Sequence, residues 1–209
     1  FGHMPLPQSE KAPEMTVLLE DIAAGKTTSQ IIRENPKLAF RVKEIDVLRQ
    51  TLLSEKYAQQ NRIVETQYLY GATGTGKTSG IYRRHDPRDI YRVTNYRNGR
   101  GVSFDDYHGQ DVIVFEEFAS QIPIEEMLNL LDVYPLMLPA RYSDKVACYT
   151  KVYITSNLPL SRQYQAVQQY HPETWKAFLR RIRTFTEYRE NGAPITRPIS
   201  EWRWMLEDG

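Results

Sequence analysis

A single cysteine, Cys148, occurs among the 209 residues. That count excludes an internal disulfide and any zinc site built from several thiolates, and it points to a reducing, intracellular compartment. No apolar run approaches the roughly 20 residues of a membrane-spanning helix, and no signal-peptide pattern opens the chain. Nor is there an excess of one charge sign. Lys and Arg number 27 against 26 Asp and Glu, a net charge of +1, which argues against nucleic-acid binding by bulk charge. Repeats and low-complexity tracts are missing too. With 41% hydrophobic and 25% charged residues, the composition is that of a globular protein, long enough for one ordinary domain and a small appendage.

The charges that are present lie in patches. Arg83, Arg84, Arg88, Arg92, Arg97 and Arg100 face only Asp86 and Asp89 in their stretch. Lys176, Arg180, Arg181 and Arg183 form a second basic cluster. An anionic ligand is therefore expected to be met locally, in a groove or a pore.

Phe1-Gly2-His3-Met4 reads as a cloning remnant, and residues 1–14 as a loose arm. From Met15 to about Gln60 the pattern is helical. Gly25 is expected to close one helix, Thr28 or Ser29 to open the next, and Pro36 to stop it. Phe40, Ile45, Leu48 and Leu52 are expected on one face of a third helix. Such a module is too small to bury much alone. From residue 61 to 190, strands alternate with helices: "ETQYLYG", "DIYRVT", "DVIVFEEF" and "KVYITSN" read as strands. "PIEEMLNLLDVYPL" and "PETWKAFLRRIRTF" read as helices. The alternation predicts an α/β domain with a mostly parallel sheet, followed by a tail over 191–209 with a short helix.

"DVIVFEEF" poses a problem. Val112 to Phe115 reads as a strand buried on both faces, yet it runs into Glu116 and Glu117. Adjacent carboxylates at the edge of a core are costly unless something positive faces them. The segment "GATGTGKT" supplies a reason, since it fits G-x-x-x-x-G-K-[ST] at every fixed position, after a strand and before a helix. Gly71, Gly74 and Gly76 let the backbone curl so that the N–H groups of the Gly71, Ala72, Thr73, Gly74, Thr75, Gly76, Lys77, Thr78 run point inward at phosphate. Lys77 is expected on the β/γ-phosphates of ATP and Thr78 on Mg²⁺. A phosphate loop needs an acidic element on a neighbouring strand. Glu116 is therefore expected to hold the metal and Glu117 to act as general base on water. The metal, with Lys77, would be their positive partner. "VYITSN" ends a strand at Asn157, where an amide can orient the attacking water; equally, the same residues suit a helix cap or an Asx-turn before Pro159.

The order of phosphate loop, "FDDYHGQDVIVFEEF", "YPLMLPARYSDKVACYTKVYITSN" and "FLRRI" resembles the superfamily 3 helicase domain of Rep, the initiator of rolling-circle replication in circular single-stranded DNA viruses of circovirus type and some bacterial plasmids. Tyr107-His108-Gly109 ahead of the acidic strand is its most specific element, and the likeness covers roughly residues 68 to 188. It implies a P-loop NTPase fold of AAA+ type behind a helical oligomerisation domain at 15–60. It also implies an ATP- and Mg²⁺-dependent DNA helicase working as a homo-oligomeric ring, a hexamer, on single-stranded DNA. The compartment would be the cytoplasm for a plasmid and the host nucleus for a virus.

By position, Glu116 and Glu117 match the acidic Walker motif and Asn157 the sensor of motif C, although Reps often carry Asp at one or both acidic positions. The resemblance places a DNA-gripping hairpin loop at "ARYSDKVA", with Arg141, Tyr142 and Lys145 as contacts. It places an arginine finger at Arg180 or Arg181, with Arg181 favoured. The His-x-His pair of a Rep nicking domain is missing, as His3, His85, His108 and His171 stand apart, so DNA cutting is not expected of this chain. The competing readings are a P-loop nucleotide kinase or other phosphotransferase, with the arginines of 83–100 as its lid, and a nucleotide-gated DNA-binding scaffold. A GTPase would need an Asn-Lys-x-Asp element, which the sequence lacks.

Overall fold

The computed structural model describes residues 11–58, 60–96, 102–141 and 143–203. The chain divides into two compact units with the boundary between Lys56 and Tyr57. In the first, helices α1 (Lys11–Ala23), α2 (Thr28–Glu34) and α3 (Val42–Ala58) follow one another, with a 3₁₀ segment at Pro36–Arg41 before α3. Gly25, at φ 81°, ends the turn after α1. Thr27, one residue earlier than expected, caps α2: its hydroxyl accepts from the Gln30 amide, and the Gln30 side chain accepts from the Thr27 amide. Leu18, Ile22, Ile31, Leu38 and Ile45 form the core, with Leu48 and Leu52 packed against it.

Phe40 does not share that face; it is 99% exposed. Pro36 starts a tighter helix, and at about three residues per turn the inward position falls to Leu38.

The second unit is built on a six-stranded sheet. Its strands are β1 (Glu65–Tyr70), β2 (Ile90–Val93), β3 (Val112–Phe115), β6 (Lys151–Ser156), β7 (Ile182–Glu187) and β8 (Ile195–Pro198). A separate two-stranded antiparallel hairpin pairs β4 (Met137–Leu138) with β5 (Lys145–Val146). The sheet order is β2-β3-β6-β1-β7-β8, parallel throughout except for the β7–β8 pair. Helix α4 (Lys77–Tyr82) follows β1; α5 (Ile124–Leu130) follows β3; α6 (Gln165–Tyr170) and α7 (Pro172–Arg181) precede β7.

Both faces of the sheet are covered, which is why its strands are apolar at consecutive positions. Val112, Val114, Leu69 and Tyr153 pack with Ile81 of α4. Ile113, Phe115, Val152 and Ile154 pack with Met127 and Leu130 of α5 and with Trp175 and Phe178 of α7. A parallel sheet with a glycine-rich loop between its central strand and a helix is the P-loop NTPase fold.

Three expectations change. The acidic strand β3 does not neighbour the loop strand β1, because β6 is hydrogen-bonded between them. Helix α5 stops at Leu130, and the Asp132 carbonyl beyond it accepts from Arg62. The segment "IRTFTE" is a strand: after Arg181 the alternating β-branched residues pair in parallel with β1. The expected tail adds β8 to the same sheet and then forms its short helix, a 3₁₀ segment at Ile199–Arg203.

Candidate active site

The sheet order brings three chain segments together at the C-terminal ends of β1, β6 and β3. After β1, Gly71, Gly74 and Gly76 all have positive φ, at 148°, 84° and 91°. At Gly71 a Cβ would stand 2.1 Å from the backbone oxygen of Tyr188, so that position is closed to any side chain. Tyr188 continues from β7 and donates its amide to the Tyr70 carbonyl at 2.7 Å. Its side chain reaches across to α4, where the hydroxyl lies 2.9 Å from where a Gly80 Cβ would be. Gly80 is thus a helix-interior glycine explained by a neighbour. A glycine in that position costs helix stability, and it is the one sequence signal that could have drawn attention to Tyr188.

Lys77, the first residue of α4, is buried to 6% exposure. Its ammonium donates to the carbonyls of Gly71 at 2.7 Å and Ala72 at 2.9 Å, and to Asn157 Oδ1 at 3.0 Å. All three acceptors are neutral. Burial lowers the Lys77 pKa, and only the field of Glu117 works against that. A desolvated cation without a counter-charge in contact is costly, and an anion seated on the loop would relieve it. The donor set therefore fits a phosphate group. Thr78 follows Lys77 and is half-buried; Ala72 and Thr73 are exposed at the loop's rim and Thr75 bonds back to the Ala72 carbonyl.

Asn157, just past β6, links cation to carboxylate. Its Oδ1 accepts from Lys77 and its Nδ2 donates to Glu117 Oε2 at 2.8 Å. Only one orientation of the amide satisfies both neighbours. Glu117 itself sits at φ 49° and Ser120, in the same turn, at φ 60°. Non-glycine residues there store strain of order 1–3 kcal/mol each, held by the surrounding contacts.

Glu116 faces an arginine in this structure. Arg92 of β2 grips it bidentately, Nε to Oε1 at 2.8 Å and Nη2 to Oε2 at 2.5 Å. Tyr96 donates to its backbone carbonyl at 2.5 Å. Burial, and after it the charges of Glu116 and Glu117, push the Tyr96 phenol up so that it stays a donor. The cation opposite Glu116 in this structure is therefore Arg92, not Lys77. Along β2 and β3 the inward rows alternate, and Arg92 and Glu116 continue the rows of Ile90 and Val114, on the face that α4 covers. In the sequence Arg92 is one more member of a basic stretch; only the strand register separates it from the rest.

The other arginines also sort themselves. Arg88 pairs with Asp86, and Arg84 lies over the Tyr153 ring; Arg97 and Arg100 lie outside the described residues. On α7, Arg181 is committed within its own unit: it donates to the Ala177 carbonyl and is ion-paired with Asp132. Arg180, one residue earlier on the helix, is exposed. Arg181, the favoured finger, is thus anchored at home, and reaching a neighbour would require that pair to open.

The expected hairpin exists as β4–β5. Arg141 in its loop is exposed, and its amide donates to Asp105 at 2.5 Å. Lys145 is half-buried on β5, opposite Leu138. Tyr142 lies outside the described residues.

Residues 67–158 match a family model described as RNA helicase. The replication-associated protein of Porcine circovirus 1 is 27% identical over 160 residues, 75% of this chain and 47% of that protein. That of Beak and feather disease virus is 28% identical over 154 residues, 74% of this chain and 46% of the relative. The chain thus spans about half the length of the curated relatives it matches. Among solved structures, the S. cerevisiae Hsp104–ADP complex is similar at a TM-score of 0.44 and 16% identity, over 88% of this chain and 30% of that one.

Proposed function

We propose that this chain carries a superfamily 3 helicase domain of the circovirus-like Rep kind and hydrolyses ATP to translocate on single-stranded DNA, as a ring, during rolling-circle replication. The observation that carries the reading is Lys77, a buried ammonium on neutral acceptors joined through Asn157 to Glu117. The loop of Gly71–Thr78 binds the phosphates, and Lys77 exchanges its carbonyl partners for β/γ-phosphate oxygens. Asn157 turns its amide towards the γ-phosphate and the attacking water. Glu117, released from Asn157, accepts the proton of that water. Mg²⁺, held by Thr78 and Glu116, would supply charge neutralisation on the β- and γ-oxygens. For Glu116 to take that part, its bond to Arg92 must open.

A finger from the adjoining subunit would complete the site by stabilising charge on the transferred phosphoryl group, and the exposed Arg180 is the residue we assign to it. The exposed hairpin loop carrying Arg141 supports a contact with the strand. The matched family model is described as RNA helicase, so an RNA strand is the second reading. Assembly into a ring would use the helical unit, whose Phe40 and Val47 stand 99% and 65% exposed.

Steady-state ATPase measured alone, with single-stranded DNA and with single-stranded RNA tests the reading. Stimulation by DNA, abolished in Lys77→Ala, is the expected result. Stimulation by RNA alone would transfer the reading to RNA. Turnover in Lys77→Ala close to the parent's would mean that the loop is not the nucleotide site.

A further inference from the structure

Behind Glu117 and Asn157 lies a closed polar network that no step of the hydrolysis uses. Gln163 is its centre, fully buried with 0% exposure between the 3₁₀ turn at Leu160–Arg162 and helix α6. Its Nε2 lies 2.8 Å from the Tyr68 hydroxyl, 3.0 Å from the Phe118 carbonyl and 3.1 Å from Ser156 Oγ. Its Oε1 accepts from Ser120 Oγ at 2.7 Å. A backbone carbonyl can only accept, so the contact with Phe118 fixes which end of the amide is nitrogen.

Two of these partners adjoin a reacting group: Phe118 follows Glu117, and Ser156 precedes Asn157. The same partners also hold one another. Ser156 Oγ donates to the Phe118 carbonyl at 2.6 Å and accepts from the Leu158 amide at 2.9 Å. Tyr68 donates to the Leu158 carbonyl at 2.7 Å, and burial pushes its pKa up to about 12, so it remains protonated.

We propose that Gln163 is a positioning residue that sets the distance between Glu117 and Asn157. The inference rests on the hydrolytic reading above. The turn from Glu117 to Ser120 holds two non-glycine residues at positive φ, a conformation that needs to be over-determined to persist. Gln163 fixes that turn at both ends, through Phe118 and through Ser120, and ties it to the β6 end through Ser156. An apolar side chain of similar size would fill the space but remove the bonds to Phe118, Ser120 and Ser156, leaving Ser156 Oγ and the Phe118 amide on Thr155 to tie Phe118 to β6 and the Tyr164 amide to hold Ser120. The base and the amide that orients the water would then no longer be held at a fixed separation.

The test compares Gln163→Leu with the milder Ser120→Ala, which removes only the hydroxyl that accepts the Tyr164 amide and fixes Oε1. Nucleotide-binding stoichiometry is measured with a fluorescent ATP analogue, so that turnover refers to folded sites. Gln163→Leu is expected to lower kcat about ten- to hundredfold with KM for ATP changed less than about twofold, since the network acts on the base and its orienting amide and not on the phosphate loop. Ser120→Ala should lower kcat about threefold in the same pattern. In a Glu117→Gln background, Gln163→Leu should cost almost nothing further, because residues acting through one another are non-additive. If Gln163→Leu does not fold, Ser120→Ala carries the same comparison. Parent-like kcat in the variants, or an equal fold-loss with and without Glu117, overturns the proposal. Failure of the hydrolytic reading would show separately, as indifference of the parent's turnover to Lys77→Ala.

Discussion

Two carboxylates that are neighbours in the chain have unlike surroundings. Glu117 meets the neutral Asn157 amide and, among the described residues, no cation, as the base role proposed for it requires. Glu116 is gripped by a guanidinium in two-point geometry, the strong form of such a pair. Hydrogen bonding to Glu116 raises the Arg92 pKa further, so Arg92 stays charged at any working pH and would compete with the proposed Mg²⁺ for the same carboxylate. Arg92→Ala should therefore lower the Mg²⁺ concentration for half-maximal ATPase, by roughly threefold to tenfold if the pair contributes on the order of 1 kcal/mol. A Mg²⁺ titration of parent and variant checks this, and identical midpoints would remove Glu116 from the metal site.

Among the elements, the hairpin β4–β5 shows how a short piece of chain presents a charge. It has only two residues per strand, a length that is marginal in isolation. The neighbouring chain steadies it: Phe104 donates its amide to the Pro139 carbonyl and Asp105 receives the Arg141 amide. The Arg141 backbone is thus fixed while its side chain remains exposed, which suits a contact with a moving strand. Replacing Arg141 and Lys145 together by Ala should weaken single-strand binding and reduce the slope of log K against log salt by about 1.4, at about 0.7 for each phosphate that is no longer neutralised. Fluorescence anisotropy across a salt series measures it. An unchanged slope would move the strand's path elsewhere, most directly to the exposed arginines that follow α4.

For the whole molecule, the question is whether a site is complete within one chain. Helix α7 ends in two arginines with opposite commitments, Arg181 to Asp132 and Arg180 to solvent. Arg181→Ala removes a half-buried ion pair and should lower the melting temperature, at a cost of about 1–3 kcal/mol. Arg180→Ala should leave the melting temperature where it is and stop turnover. Mixed with Lys77→Ala subunits, Arg180→Ala subunits should regain partial activity, since some interfaces then pair an intact loop with an intact arginine. Two assembling but never complementing variants would show that no arginine crosses between subunits at this position. Turnover per subunit should also rise with protein concentration.

The phosphate loop, the acidic strand, the terminal asparagine and the parallel α/β sheet are legible in the sequence. Each rests on local physics: glycines where φ must be positive, a run of apolar residues where both faces are covered, an ammonium at a helix start. Strand order is not local. Nothing in "KVYITSN" says that β6 enters between β1 and β3, yet that insertion sets Asn157 between Lys77 and Glu117. Pairing partners separated by tens of residues are likewise invisible along the chain: Arg92 with Glu116, Arg181 with Asp132, Gln163 with Phe118, and Tyr188 against Gly71 and Gly80. Residue types and their spacing determined what chemistry this chain can hold. The packing of distant segments decided which charge faces which, because an ion pair or a hydrogen bond depends on distance in space and not along the backbone.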